Sequence, residues 1–157
     1  MKAFNVAFFG HRYIYNSIQI ENALEKHIRR LIDEKEYIYF RVGRNGDFDQ
    51  LVSSTLRRVK KNYREDNSEH TLILPYFTAE YNQNEDAYEK YYDRVEVSIM
   101  GTKVHPKAAI QVRNREMVDE ANLIICYFEQ KKGGAYQTVK YAEKMGKPII
   151  NLADEIE

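Results

Sequence analysis

Several things are scarce in this 157-residue chain, and each scarcity removes a class of explanation. A single cysteine leaves no partner for an internal disulfide and too few thiols for a cysteine-based zinc cluster. That cysteine, Cys126, lies inside an apolar run, where a thiol serves as a small buried hydrophobe more readily than as a nucleophile. Neither charge sign is in excess: Lys plus Arg and Asp plus Glu number 24 each, so no global field recruits nucleic acid or an anionic membrane. Any anion site must be local. No apolar run approaches the length of a bilayer span, and Met1-Lys2-Ala3-Phe4 leads directly into a strand-like segment without a signal-peptide pattern. The expectation is a soluble cytoplasmic protein without a membrane partner. With three prolines and no linker-like stretch, residues 1-157 read as one domain. Tryptophan is absent while tyrosine numbers 13.

What is present is an alternation of strand-like and helix-like segments. Phe4 to Phe9 is apolar at nearly every position, as in a strand covered on both faces, and stops at Gly10-His11-Arg12. Asn16 or Ser17 can cap a following helix striped by Ile20, Leu24, Ile28 and Leu31. Tyr37 to Val42 is a second strand, ending in Gly43-Arg44-Asn45-Gly46-Asp47. Asp47 with Gln50 resembles a capping box for a helix marked by Phe48, Val52, Leu56, Val59 and Tyr63. The basic residues of that helix, Arg57 to Arg64, read as a solvated face because acidic residues follow and no aromatic platform is interleaved.

Thr71 to Leu74 is a third strand, closed by Pro75. From Tyr76 to Lys107 the pattern blurs: Val95-Glu96-Val97 fits a short strand or a loop, and the segment reads as a lid, an interface or a partly helical excursion. Ala108 to Ala121 returns to helical spacing, with Asn114 on the apolar stripe between Arg113 and Arg115. Leu123 to Phe128 is a further strand, followed by Gly133-Gly134, a helix through Ala135, Val139, Ala142 and Met145, and a last strand through Pro148 to Leu152.

This order predicts an α/β fold, a Rossmann-like three-layer sandwich with a mainly parallel sheet, whose ligand crevice lies beyond the carboxyl ends of the strands. Free N–H groups at a helix start after Gly133-Gly134 suit an anion, although two glycines also suit an ordinary loop. Arg12 has the geometry for a bidentate phosphate contact, and His11 for hydrogen bonding or proton transfer. Arg113 and Arg115 fit either a site or surface ion pairs with Glu116 and Asp119.

The motifs carry a resemblance. Phe8-Phe9-Gly10-His11-Arg12 resembles the Thr-Gly-His-Arg opening of YpsA-like proteins in the SLOG superfamily, named for the Smf/DprA and LOG groups. Val42 to Asp49, Arg113 to Asp119 and Gly133-Gly134-Ala135-Tyr136 are similar to later motifs of one branch, so the similarity spans nearly everything outside Tyr76 to Val104. It implies a Rossmann-like pocket for a nucleotide or nucleotide-derived ligand, lined by Gly10, His11, Arg12, Gly43, Gly46, Asp49, Arg113, Asn114, Gly133 and Gly134, with Thr138 as a further ligand-binding candidate. Arg12 and the amides after Gly134 would hold phosphate, and Asn114 the sugar or base. No cofactor or metal is implied. Arg44 and Asp47 stand where relatives place successive glycines.

The enzymatic LOG members resemble a Pro-Gly-Gly-x-Gly-Thr-x-x-Glu pattern, but here Lys140 or Tyr141 falls at the glutamate. Without that carboxylate, an oxocarbenium-like centre has no obvious stabiliser. The first expectation is therefore binding or sensing of a phosphorylated nucleotide, with no nucleic acid partner. The alternative is an N-glycosidase, phosphoribohydrolase or deoxyribosyltransferase-like enzyme using Asp47, Asp49 or Glu80. A homo-oligomer through exposed tyrosines of the Tyr76-Tyr92 segment is a third expectation.

Overall fold

The computed structural model describes residues 2–156. Its six strands form one parallel sheet in the order β4-β3-β2-β1-β5-β6. β1 (Ala3–Gly10) lies between β2 (Tyr37–Val42) and β5 (Leu123–Tyr127), with Ala7 opposite Arg41 on one side and Gly10 opposite Tyr127 on the other. The chain runs outward from β1 through β2 and β3 (Ser68–Leu74) to the edge strand β4 (Arg94–Val97). It then crosses back to β5 and ends in β6 (Ile149–Asn151). That reversal beside β1 makes the loops after β1 and β5 diverge, which opens a crevice at the carboxyl end of the sheet.

Two apolar cores explain the layers. In β1, Val6 and Phe8 face α1 (Ser17–Glu34) and α2 (Asp47–Asn62), whose Ile20, Leu24, Ile28, Phe48, Val52 and Leu56 are fully buried. Ala7 and Phe9 face the opposite way, onto Met117 and Val118 of α5 (Pro106–Glu120) and Val139 and Ala142 of α6 (Gly134–Lys144). The period-two alternation of a strand thus feeds helices on both faces, which is why β1 is apolar throughout. Cys126 is fully buried in the second core, and burial pushes its thiol up to about 12. No helix among the described residues is long and apolar enough to cross a membrane.

Of the expected forms for the Tyr76 to Lys107 stretch, the structure shows the partly helical excursion. It holds α3 (Ala79–Gln83), α4 (Glu85–Tyr91), β4 and a 3-10 turn at Gly101–Lys103. Helices of five and seven residues are too short to display an apolar stripe in sequence. Their tyrosines do not form the exposed surface on which the homo-oligomer expectation rested. Tyr88 and Tyr92 are buried against the first core, and Tyr92 lies 4.9 Å from both His70 and Tyr91. Tyr81 packs edge-on to Tyr88. The aromatic content of this segment is used within the chain, covering the α2–β3 side of the sheet.

The capping expectations are also revised. Asn16 and Gly46 precede α1 and α2 without side-chain caps. Asp47 instead accepts the Ile14 N–H at 3.1 Å, joining the loops after β1 and β2.

His70, buried under Tyr92, shares a 2.9 Å hydrogen bond with Ser53 Oγ. Burial lowers its pKa from 6.5 to about 4, with the nearby Asp93 pulling the other way. The unfolded chain therefore takes up a proton on this ring before the folded chain does. Stability falls as pH drops from about 6.5 to about 4 and levels off below, a loss of about 3 kcal/mol. Urea unfolding across that range should show the decline, and His70→Gln should flatten this part of it.

Candidate functional site

A crevice of about 740 Å³ opens beyond β1, β2 and β5. The loop after β1 contributes Gly10 through Tyr15, the loop after β2 contributes Gly43, Asn45 and Gly46, and the loop after β5 contributes Glu129, Gln130, Lys132 and Gly133. Asp49, Arg113, Asn114 and Gly134 also line it, so ten of the eleven candidate residues named from sequence come together there. The eleventh, Thr138, is buried one turn into α6.

Close approach of the loops depends on two glycines. A Cβ on Gly10 would sit 2.2 Å from the Phe48 ring, and one on Gly46 would sit 2.6 Å from the Arg12 Cα. The loop after β1 can therefore nest against the start of α2 only with hydrogen at both places. A backbone bond from Asp47 N–H to Arg12 O at 2.8 Å fixes the same junction.

At the centre of the floor is Arg113, which is 3% exposed. It is not the surface ion-pair residue that its neighbours Glu116 and Asp119 suggested. Its Nε donates to Asn114 Oδ1 (3.1 Å), its Nη1 to the carbonyl of Ile73 at the end of β3 (3.0 Å), and its Nη2 to Asn45 Oδ1 (2.9 Å). All three acceptors are neutral, and among the described residues no carboxylate lies within 4.0 Å. Burial brings this guanidinium down to about 10, opposed by the charge of Asp49, and it remains a cation at neutral pH. Asp49 keeps part of its surface open, yet its carboxyl is enclosed by protein. Burial raises its pKa against the Asn45 N–H, which donates at 2.8 Å, and against the Arg113 charge.

Asn114, which lines the crevice, has its amide engaged within the chain. It accepts from Arg113 and donates from Nδ2 to Thr138 Oγ1 at 3.1 Å, and that hydroxyl donates to the Gly134 carbonyl at 2.9 Å. This relay ties the Gly-Gly turn to α5. Gly133 takes φ of 93°, a conformation glycine adopts without strain, and turns the chain into α6. The N–H groups of Gly134, Ala135 and Tyr136 lie in the first turn, where no intrahelical acceptor exists.

His11 is likewise committed. Its Nε2 accepts the Glu129 backbone N–H at 2.9 Å, which requires that nitrogen to be unprotonated. Burial lowers its pKa, opposed by Glu129, in keeping with a neutral ring. Of the carboxylates considered for an enzyme, Asp47 is bonded to Ile14 N–H and Glu80 pairs with Arg44 at 3.1 Å in a separate groove floored by Tyr88 and Tyr92. Asp49 alone of the three borders the crevice. No group of three or more His, Cys, Asp or Glu among the described residues is placed to hold a metal ion.

The rim carries what sequence reading missed. Arg12 is exposed, and it is followed by Tyr13 and Tyr15 with 79% and 84% of their surfaces open. Opposite stand Lys131 and Lys132, exposed and without ion pairs among the described residues. The signal available was the alternation Arg12-Tyr13-Ile14-Tyr15 directly after a strand end.

No protein-family model and no curated protein matches the chain. Solved structures do. DNA processing protein A from Streptococcus pneumoniae superposes with a TM-score of 0.68 at 18% identity over 94% of this chain and 50% of that one. The Helicobacter pylori protein of the same name, solved for its single-stranded DNA binding mode, gives 0.63 at 15% over 94% and 64%. The chain therefore shares the Rossmann-like fold found in these two proteins. It spans about half the length of the pneumococcal protein, and neither neighbour bears on a YpsA-like branch.

The same finding overturns two expectations: a free nucleotide as ligand, with nucleotide cleavage as the alternative, and the absence of nucleic acid. The Helicobacter protein, which shares the fold, is described by its single-stranded DNA binding mode. Balanced net charge is a poor guide to a local site, and the cations Arg12 and Lys132 line this crevice although the chain as a whole is neutral.

Replacing Thr138 with valine keeps its shape but removes the acceptor for Asn114 Nδ2. The orphaned buried donor should cost about 1–3 kcal/mol in urea unfolding.

Proposed function

We propose that the crevice rim binds single-stranded nucleic acid. Arg12, Lys131, Lys132 and the free N–H groups at the start of α6 meet phosphates, while Tyr13 and Tyr15 stack bases. The observation that carries this reading is the exposed pair Tyr13 and Tyr15 beside a cation at the mouth of the crevice. Large aromatic rings left open to water lose favourable burial unless a partner covers them, and base faces are the sequence-tolerant partners for such rings. A duplex hides its base faces in the stack and offers none. The single-stranded DNA binding mode of the Helicobacter neighbour, on the same fold, supports the reading.

In this reading, Gly10, His11, Gly43, Gly46, Asp49, Arg113, Asn114, Gly133 and Gly134 form the bed on which the rim is set, and Thr138 positions the turn at Gly134. The chain works as one binding unit.

Fluorescence anisotropy with a labelled single-stranded oligonucleotide and its duplex tests the reading. Affinity should be confined largely to the single strand, with log K falling linearly as log salt rises. Tyr13→Ala and Tyr15→Ala should each weaken binding by about 1–3 kcal/mol. Lys132→Ala should lower the magnitude of the salt slope by about 1. Equal affinity for the duplex, or indifference to both tyrosine substitutions, sinks the proposal.

A further inference from the structure

The two sides of the crevice mouth are joined in the free protein. Tyr15, on the loop after β1, donates its hydroxyl to Glu129 Oε2 at 3.0 Å, and Glu129 lies on the loop after β5. The other carboxylate oxygen, Oε1, accepts from Tyr127, whose ring is buried in the first core. Beneath this, the Glu129 backbone N–H is held by His11 Nε2, and the His11 N–H donates to the Tyr127 carbonyl at 3.1 Å. Glu129 is therefore anchored on its inner side by main chain and by a core phenol, and it holds Tyr15 on its outer side. With its ring 84% exposed and without an aromatic neighbour among the described residues, Tyr15 is fixed by its hydroxyl.

Glu129 is also out of keeping with its surroundings. It puts a negative charge at a mouth that the cations Arg12 and Lys132 also line, and it is bonded to phenols rather than to either of them. A carboxylate there repels an incoming phosphate backbone, and the phenol it holds joins the loops after β1 and β5.

We propose that the Tyr15–Glu129 hydrogen bond is a strap closing the crevice mouth, which must part before a single strand seats. The inference rests on the reading of the rim given above. The free chain is biased toward the strapped state, and a strand binds the open state, so the strap lowers apparent affinity and slows association. Tyr15 then has two separable parts: a hydroxyl that closes the site and a ring that stacks a base.

Stopped-flow and equilibrium anisotropy with the same single-stranded oligonucleotide separate them. Tyr15→Phe keeps the ring and deletes the hydroxyl, so it should bind roughly fivefold more tightly, chiefly through faster association. Glu129→Ala should do the same, while Tyr15→Ala should bind more weakly than the wild type. Wild-type binding with an unchanged or weaker Tyr15→Phe protein overturns the strap and leaves the rim reading standing, since the hydroxyl would then be orienting the ring. Failure of wild type and Tyr15→Phe alike to bind any single strand overturns both.

Discussion

The crevice depends on one buried cation without a counter-ion. Arg113 connects three elements: the end of β3 through the Ile73 carbonyl, the loop after β2 through Asn45, and α6 through Asn114 and Thr138. Removing a guanidinium from water is expensive, and neutral acceptors offset only part of that penalty. The fall of its pKa to about 10 expresses the deficit. Asp49 offsets some of it from beyond salt-bridge distance, and each group pays in its own titration, the arginine downward and the carboxyl upward. The floor is thus held by a network in which every member is needed by another, which favours a single arrangement of the loops.

The sheet was legible because strand and helix periods differ and because strands covered on both faces are apolar throughout. Glycines at strand ends marked where the loops converge. What stayed hidden was the direction of individual side chains. Arg113 sits one position from Asn114 on a helix dense in charge, and sequence spacing cannot tell a guanidinium that turns under the sheet from one that pairs with Glu116. In fact Glu116 accepts from Met100 N–H and Ser98 Oγ, and Arg115 lies over the Tyr141 ring. Thr138 and Asn114 are bonded to each other, a link that the sequence alone does not reveal. Small polar residues near a glycine turn look alike in sequence whether they face a ligand or a neighbour.

The tyrosines were misread in both directions for a related reason. Aromatic density in Tyr76 to Tyr92 suggested an outer surface, yet two short helices fold those rings over His70 and the first core. Tyr13 and Tyr15 drew no attention because they follow a conspicuous glycine motif, yet they are among the most exposed large side chains of the molecule. Exposure is decided by which layer an element packs on, and that is fixed only when the strand order is known. The exposed rings of Tyr13 and Tyr15 are on the loop after β1, whereas beside the basic residues of α2 Arg57 lies over the half-buried Tyr91 ring.

This division of labour bears on the shape of ligand the site can take. On the floor, the side chains of Arg113, Asn114, His11 and Asp49 are bonded to protein groups, and their exchange for ligand contacts would loosen the loops they hold. The groups without hydrogen-bonded or ion-pair partners among the described residues are at the edge: Arg12, Lys131, Lys132 and the first amides of α6. A compact ligand sunk into the crevice would meet mostly committed polar atoms. An extended one, lying across the mouth with its charged backbone on the edge and its flat groups on Tyr13 and Tyr15, would meet the uncommitted ones. Physical demand at the floor for stability and at the rim for contact therefore favours a strand over a free nucleotide, and it does so from the placement of hydrogen bonds within this chain.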